Sequence, residues 1–101
     1  MNILCVCQAG NSRSAAMAWE LKGRGHNAVP CGWQVNSPNP IGLLAAWADK
    51  IVIMQAGFRG HVPGTCRHKI MVCDVGPDRW VNPTHPELRQ IVRDWIEKEG
   101  L

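Results

Sequence analysis

Ile3-Leu4-Cys5-Val6-Cys7-Gln8-Ala9-Gly10-Asn11-Ser12-Arg13-Ser14 is the stretch that decides how this chain folds. An apolar run suited to a strand buried on both faces stops at Cys7, and a glycine-containing turn follows. A helical pattern starts at about Arg13, carrying Ala15, Ala16, Met17, Ala18, Trp19 and Leu21. Strand, turn and helix in that order build an anion site, because the backbone N–H groups of residues 8 to 14 are placed to converge at a helix N-terminus, where the macrodipole is positive. Cys7 stands on one rim and Arg13 on the other. A helix N-terminus and a neighbouring cation favour thiolate over thiol, which makes Cys7 a candidate nucleophile toward phosphorus. Arg13 offers a planar fork for two phosphoryl oxygens, and Ser14 a hydroxyl for the sulfur. The residues between them, Gln8, Ala9, Gly10, Asn11 and Ser12, supply the main-chain cradle.

Around this stretch, 101 residues make one domain with a single modest core. No run is as long as a membrane span, and no basic and apolar leader precedes the first strand, so a cytoplasmic protein is expected. Five cysteines are an odd number, several of them in strand-like runs, which suits reduced thiols better than a disulfide scaffold. Cys5-x-Cys7 sits in and at the end of a strand without a second pair, so no metal site is expected. Lys and Arg at 11 against Asp and Glu at 8 give a net charge of +3. That mild excess suits a phosphate-bearing substrate and is too scattered to predict a nucleic-acid partner.

The first strand spans residues 2 to 7, and its helix ends near Gly23-Arg24-Gly25. A second strand over Ala28 to Cys31 contains Pro30, which suits an edge position. Gly32 to Pro40 reads as loop, with Asn39 capping a helix whose first turn holds Pro40 and which buries Leu43, Leu44 and Trp47. Lys50 to Met54 is a third strand. Residues 55 to 67 are loop or short helix, and His61 and His68 are expected to be solvated. A fourth strand runs from His68 to Asp74, so that Asp74 meets the C-terminal edge of the sheet, where sites of open parallel sheets lie. Thr84 and Glu87 have capping-box spacing before a last helix with Leu88, Ile91, Val92, Trp95 and Ile96 on one stripe.

Cys-x5-Arg-Ser is the signature of cysteine-dependent phosphatases, and residues 7 to 14 resemble the Cys-x-Ala-Gly-x-x-Arg-Ser loop of the dual-specificity enzymes. Only six residues precede Cys7. A loop on the first strand instead resembles the low-molecular-weight protein tyrosine phosphatases. Their loop has Asn three residues after the cysteine, where this chain has Gly10, which supplies a positive φ directly. The stretch Trp33-Gln34-Val35-Asn36-Ser37-Pro38-Asn39-Pro40 is similar to the family's Trp-Asn-Val-Gly-Arg-Ser-Pro-Asp-Pro, one residue shorter, and Ala48 to Met54 is similar to its Ala-Asp-x-Ile-x-x-Met.

The resemblance implies a three-layer α/β/α fold around a four-stranded parallel sheet in the order 2-1-3-4, with trimmed loops and the Cys7 loop at a topological switch point. It implies a phosphomonoester hydrolase, a protein tyrosine phosphatase working through a phosphocysteine without cofactor or metal, on a phosphorylated protein or small aryl phosphate. Trp33 would line the pocket mouth. Asp78, in Asp74-Val75-Gly76-Pro77-Asp78-Arg79-Trp80, matches the family's acid in Asp-Pro-Tyr, and Trp80 its aromatic, with Arg79 in place of the proline. Asp74 is the rival acid. Two other resemblances give alternatives: the phosphocysteine carriers of sugar phosphotransferase IIB type, and arsenate reductases, for which Cys66 and Cys73 would be the further thiols.

Overall fold

The computed structural model describes residues 1–34, 38–80 and 82–101, and only the backbone of residues 38 and 39. Strand β1 (Asn2–Cys7) lies at the centre, because its side chains from Ile3 to Cys7 are all buried and need neighbours on both sides. It pairs in parallel with β2 (Asn27–Gly32) on one side and β3 (Lys50–Ile53) on the other, and β3 pairs with β4 (Ile70–Val72), giving the order β2-β1-β3-β4. Pro30 lies in β2, an edge strand, where its missing N–H leaves no ladder bond broken.

Helix α1 (Arg13–Gly23) connects β1 to β2, and α2 (Pro38–Trp47) connects β2 to β3. The chain crosses the sheet in opposite directions through these two units, so right-handed crossovers put the helices on opposite faces. The last helix, α3 (Pro86–Glu99), packs beside α1, and Glu20 of α1 receives Arg89 and Arg93 of α3, each at 3.1 Å. Burial works against the charge of Glu20, but hydrogen bonds from the two guanidinium groups outweigh it and hold the carboxyl below its ordinary value. Between β3 and β4 the chain makes two 3₁₀ segments, Ala56–His61 and Gly64–Lys69, in place of a full helix. Lys69 closes this crossover by donating to the carbonyl of Ala45 near the C-terminal end of α2, 2.9 Å.

Four expectations are corrected. Helix α2 begins at Pro38, so Asn39 and Pro40 lie inside it and Asn39 does not cap it; two prolines fit a first turn whose N–H groups have no intrahelical partner. Val35, Asn36 and Ser37, read as loop, lie outside the described residues. The same helix buries Ile41, Ala45 and the following Ala48, while Leu43 is 74 % and Trp47 39 % exposed and Leu44 is half-buried. Apolar residues surround α2, so its sequence does not single out a face, and the small alanines are the ones that meet the sheet.

Strand β4 covers only Ile70–Val72, because His68 and Lys69 complete the second 3₁₀ segment and Asp74 turns away to bind main-chain amides. Finally, α3 is capped by His85, whose Nδ1 accepts from the Glu87 N–H at 3.2 Å. Thr84 instead bonds Asn82, and Pro86 occupies the first turn. The apolar stripe of α3 holds: Leu88, Val92 and Ile96 are buried, and Trp95 donates its Nε1–H to the Val72 carbonyl at 3.0 Å.

Candidate active site

The C-terminal ends of β1 and β3, the loop after β4 and the start of α1 meet at one edge of the sheet. Main-chain pairing continues past the strands there: Trp33 N–H donates to Cys7 O (3.1 Å), Gln34 N–H to Gln8 O (2.9 Å), Met54 N–H to Val6 O (2.9 Å) and Val75 N–H to Met54 O (3.2 Å). Side chains from distant parts of the sequence are thereby held around the segment from Cys7 to Ser14.

Cys7 is the floor of this edge, 2 % exposed. Its thiol donates to Ser14 Oγ at 3.0 Å, and the Gly10 N–H points at the sulfur from 3.1 Å. The loop turns at Gly10, whose φ of +79° is in the left-handed region. A side chain at Gly10 would also strike the neighbouring strand, since a Cβ there falls 2.7 Å from the nitrogen of Gly32. The converse holds at Gly32, where a Cβ would sit 2.4 Å from the carbonyl carbon of Ala9. Two facing glycines therefore let the loop lie against the end of β2. Gln8 ties the same two segments by donating its Nε2–H to Gln34 Oε1 at 2.8 Å. Asn11 is the exposed residue of the loop, and Ala9 is half-buried.

Arg13 is 1 % exposed. Its Nη1 donates to Gln55 Oε1 and to the Gly76 carbonyl, both at 2.9 Å, and its Cζ lies 5.3 Å from the centroid of the Phe58 ring. Among the described residues no carboxylate pairs with it, and its buried Nε has no acceptor. A guanidinium so placed carries a large desolvation cost that neutral acceptors only partly offset, and an oxyanion would supply both the missing charge and the missing acceptor.

The two aspartates separate clearly. Asp74 is engaged by main chain through both oxygens, accepting from Ala56 N–H (3.0 Å) and Gly76 N–H (2.9 Å). Asp78 reaches the loop, where its Oδ1 accepts from Ser12 Oγ at 3.1 Å. Asp74 thus holds its own segment together, and Asp78 is the aspartate bonded to the loop.

Trp33 is half-buried, with His61 stacked on it (centroids 3.9 Å apart, planes 3° apart) and Phe58 edge-on at 5.7 Å. His61 is exposed, as expected, and its ring in addition covers a tryptophan face. Trp80, matched to the family's aromatic and expected to meet substrate, belongs to the core at 4 % exposure. Arg79 lies over its ring at 4.0 Å and His85 meets it edge-on, so it presents no open face to a substrate. An aromatic late in a loop docks inward when the loop needs an anchor.

Sequence reasoning missed Gln55, Phe58, Gly32 and Gly76. Gln55 had a signal, being a polar residue just past the C-terminal end of a parallel strand. The others are legible only from their three-dimensional neighbours. The thiols of Cys66 and Cys73 are buried, and burial first, then the charges of Asp74 and Glu99, push Cys73 from an ordinary 9.0 up to about 12. No group of three or more metal-ligating side chains occurs among the described residues.

A parallel sheet in the order 2-1-3-4 with a buried cysteine and arginine bracketing the first turn is a fold that solved low-molecular-weight protein tyrosine phosphatases share. Among solved structures, the chain is similar to the arginine phosphatase YwlE from Geobacillus stearothermophilus, with a TM-score of 0.69 and 16 % identity over 98 % of this chain and 92 % of that one. It is similar to the tyrosine phosphatase Wzb from Escherichia coli K30 in complex with phosphate, with a TM-score of 0.68 and 14 % identity over 96 % of each chain. It is also similar to a cysteine-to-serine mutant of YwlE with a phosphorylated active-site serine, with a TM-score of 0.65 and 15 % identity over 99 % of this chain and 96 % of the mutant. At these identities the likeness is one of fold. No protein-family model matches the sequence, and no curated protein matches it.

Proposed function

We propose that this chain is a cysteine-dependent phosphatase that hydrolyses phosphomonoesters, of protein tyrosine phosphatase type, in two steps. The observation that carries the reading is the buried Arg13 guanidinium, which among the described residues has no carboxylate partner and no acceptor for Nε, on the same short loop as a sulfur that already receives an amide N–H. In the first step the Cys7 thiolate attacks phosphorus and an S–P bond forms as the P–O bond to the leaving group breaks. The main-chain N–H groups of Gln8, Ala9, Gly10, Asn11, Ser12, Arg13 and Ser14, with the Arg13 fork, hold the equatorial oxygens. Asp78 gives its proton to the departing oxygen. In the second step water attacks phosphorus, Asp78 takes back a proton, and the S–P bond breaks with sulfur leaving as thiolate. Ser14 turns its hydroxyl hydrogen to the sulfur and stabilises it.

The half-buried Trp33, backed by Phe58 and His61, favours a ring-bearing ester such as phosphotyrosine, with stacking worth ~1 kcal/mol beyond the buried area. A phosphocysteine carrier has no need of an acid tied to its loop, and Asp78 is so tied. Arsenate reduction would need mobile, reactive thiols at Cys66 and Cys73, and the buried Cys73 is held protonated far above neutrality. Pre-steady-state kinetics with an aryl phosphate test the proposal. A burst of phenolate, lost with a fall of about 10⁴-fold or more in turnover in Cys7→Ser, is expected; turnover unchanged in Cys7→Ser would overturn it.

A further inference from the structure

Ser12 occupies the N-cap of α1, a position where a serine hydroxyl ordinarily binds a helix N–H. Here its side chain makes no such bond. It is 4 % exposed, its carbonyl accepts from Ala16 N–H at 2.9 Å, and its hydroxyl donates to Asp78 Oδ1 at 3.1 Å. The capping bond is given up for a contact 66 residues away in sequence.

We infer that Ser12 is the positioning residue for the acid, an inference that rests on the phosphatase reading above. With Oδ1 accepting from the Ser12 hydroxyl, the proton of a neutral Asp78 is carried by Oδ2. The oxygen that faces the leaving group is therefore decided by a residue of the anion loop. The next residue strengthens the arrangement, because Arg13 Nη1 donates to the Gly76 carbonyl, two residues before Asp78. Adjacent side chains of the phosphoryl-binding loop thus hold the acid segment by its main chain and by its carboxylate. The chain has Arg79 where the family's acid is followed by proline, and the rigidity such a proline would give comes instead from these ties and from Arg79, seated on Trp80 and 3.5 Å from Glu87.

The test is a series of aryl phosphates with leaving groups of increasing basicity, run on wild type, Ser12→Ala, Ser12→Thr, Asp78→Asn and the Ser12→Ala/Asp78→Asn double variant. In Ser12→Ala the loss of kcat is expected to grow along the series by about 10-fold or more, to be largely restored in Ser12→Thr, and to add little on the Asp78→Asn background. A merely structural role would lower kcat evenly along the series and add in full to Asp78→Asn, and either result overturns the assignment. Hydrogen exchange on the same proteins needs no turnover: amides of residues 76 to 80 are expected to exchange faster in Ser12→Ala while those of α3 do not. Unchanged exchange in that segment removes Ser12 as its anchor even if the protein hydrolyses none of these esters, whereas loss of the burst in wild type alone removes the phosphatase reading.

Discussion

The two segments that make the site, residues 7–14 and residues 73–80, are built in opposite ways. The first is part of the core: Cys7, Ser12, Arg13 and Ser14 are all nearly inaccessible, and the segment is clamped between the central strand and α1. The second follows a three-residue edge strand, exposes Asp74, Asp78 and Arg79, and is held by side-chain bonds to its neighbours. An anion cradle needs main-chain groups fixed in space, and only flanking elements provide that. An acid must present one carboxyl oxygen to a leaving group, and a few well-placed bonds suffice. Substitutions in the first segment are therefore expected to cost both fold and chemistry, and a substitution at Asp78 in the second mainly chemistry.

The sharpest way to break this contrast is to exchange the roles of the two aspartates. Asp78→Asn is expected to lower kcat about 10²- to 10⁴-fold on esters with basic leaving groups while melting at nearly the wild-type temperature. Asp74→Asn keeps one acceptor but sets an amide NH₂ against a main-chain N–H, so a loss of about 1–3 kcal/mol in stability with less than about 10-fold in kcat is expected. Steady-state kinetics and thermal melts of the two variants decide it, and the reverse pattern would make Asp74 the acid.

Next in size is Gly10→Ala, which probes the first segment. The positive φ alone costs of order 1–3 kcal/mol, and the new methyl group meets the Gly32 backbone. Lower stability accompanied by weaker phosphate binding is expected in denaturant melts with and without phosphate. A variant that melts like wild type would show the cradle to be softer than described.

The smallest effect is alkaline, and it compares the thiols beneath the two segments. Burial first, then the neighbouring thiols of Cys7 and Cys73, pushes Cys5 far up, and Cys73 lies at about 12. Both stay protonated in the folded protein while the unfolded chain ionises above about 9, so the unfolded state binds fewer protons there. Stability is thus full below pH 9 and falls as pH rises toward 12. Melting temperatures across that range are expected to decline less steeply in Cys73→Ala than in wild type; equal slopes would mean that Cys73 is not sealed.

How much of this was legible in sequence follows the same division. The Cys7 segment can be read from residues 3 to 14 because its elements are neighbours in the chain: an apolar strand, a glycine at the turn and a helical pattern are local signals. The sheet order follows from the family resemblance and from Pro30 at an edge. The Asp78 segment is held by Ser12, Arg13 and Ala56, partners far away in sequence, so these ties left no local sign. The face of α2 was unreadable because apolar residues surround it, and the His85 cap because Thr84 and Glu87 offered a better-known pattern. Trp80 misled because position in a loop says nothing of which way a ring turns.

The central claim is that a phosphoryl group passes through the sulfur of Cys7, and rapid acid quench of the enzyme during turnover of an aryl phosphate, followed by peptide mass spectrometry, tests it directly. One phosphoryl group on the peptide carrying Cys7, absent from the same peptide when substrate is withheld, is the result expected. Steady turnover with that peptide unmodified at every quench time, and no burst preceding it, would contradict the account.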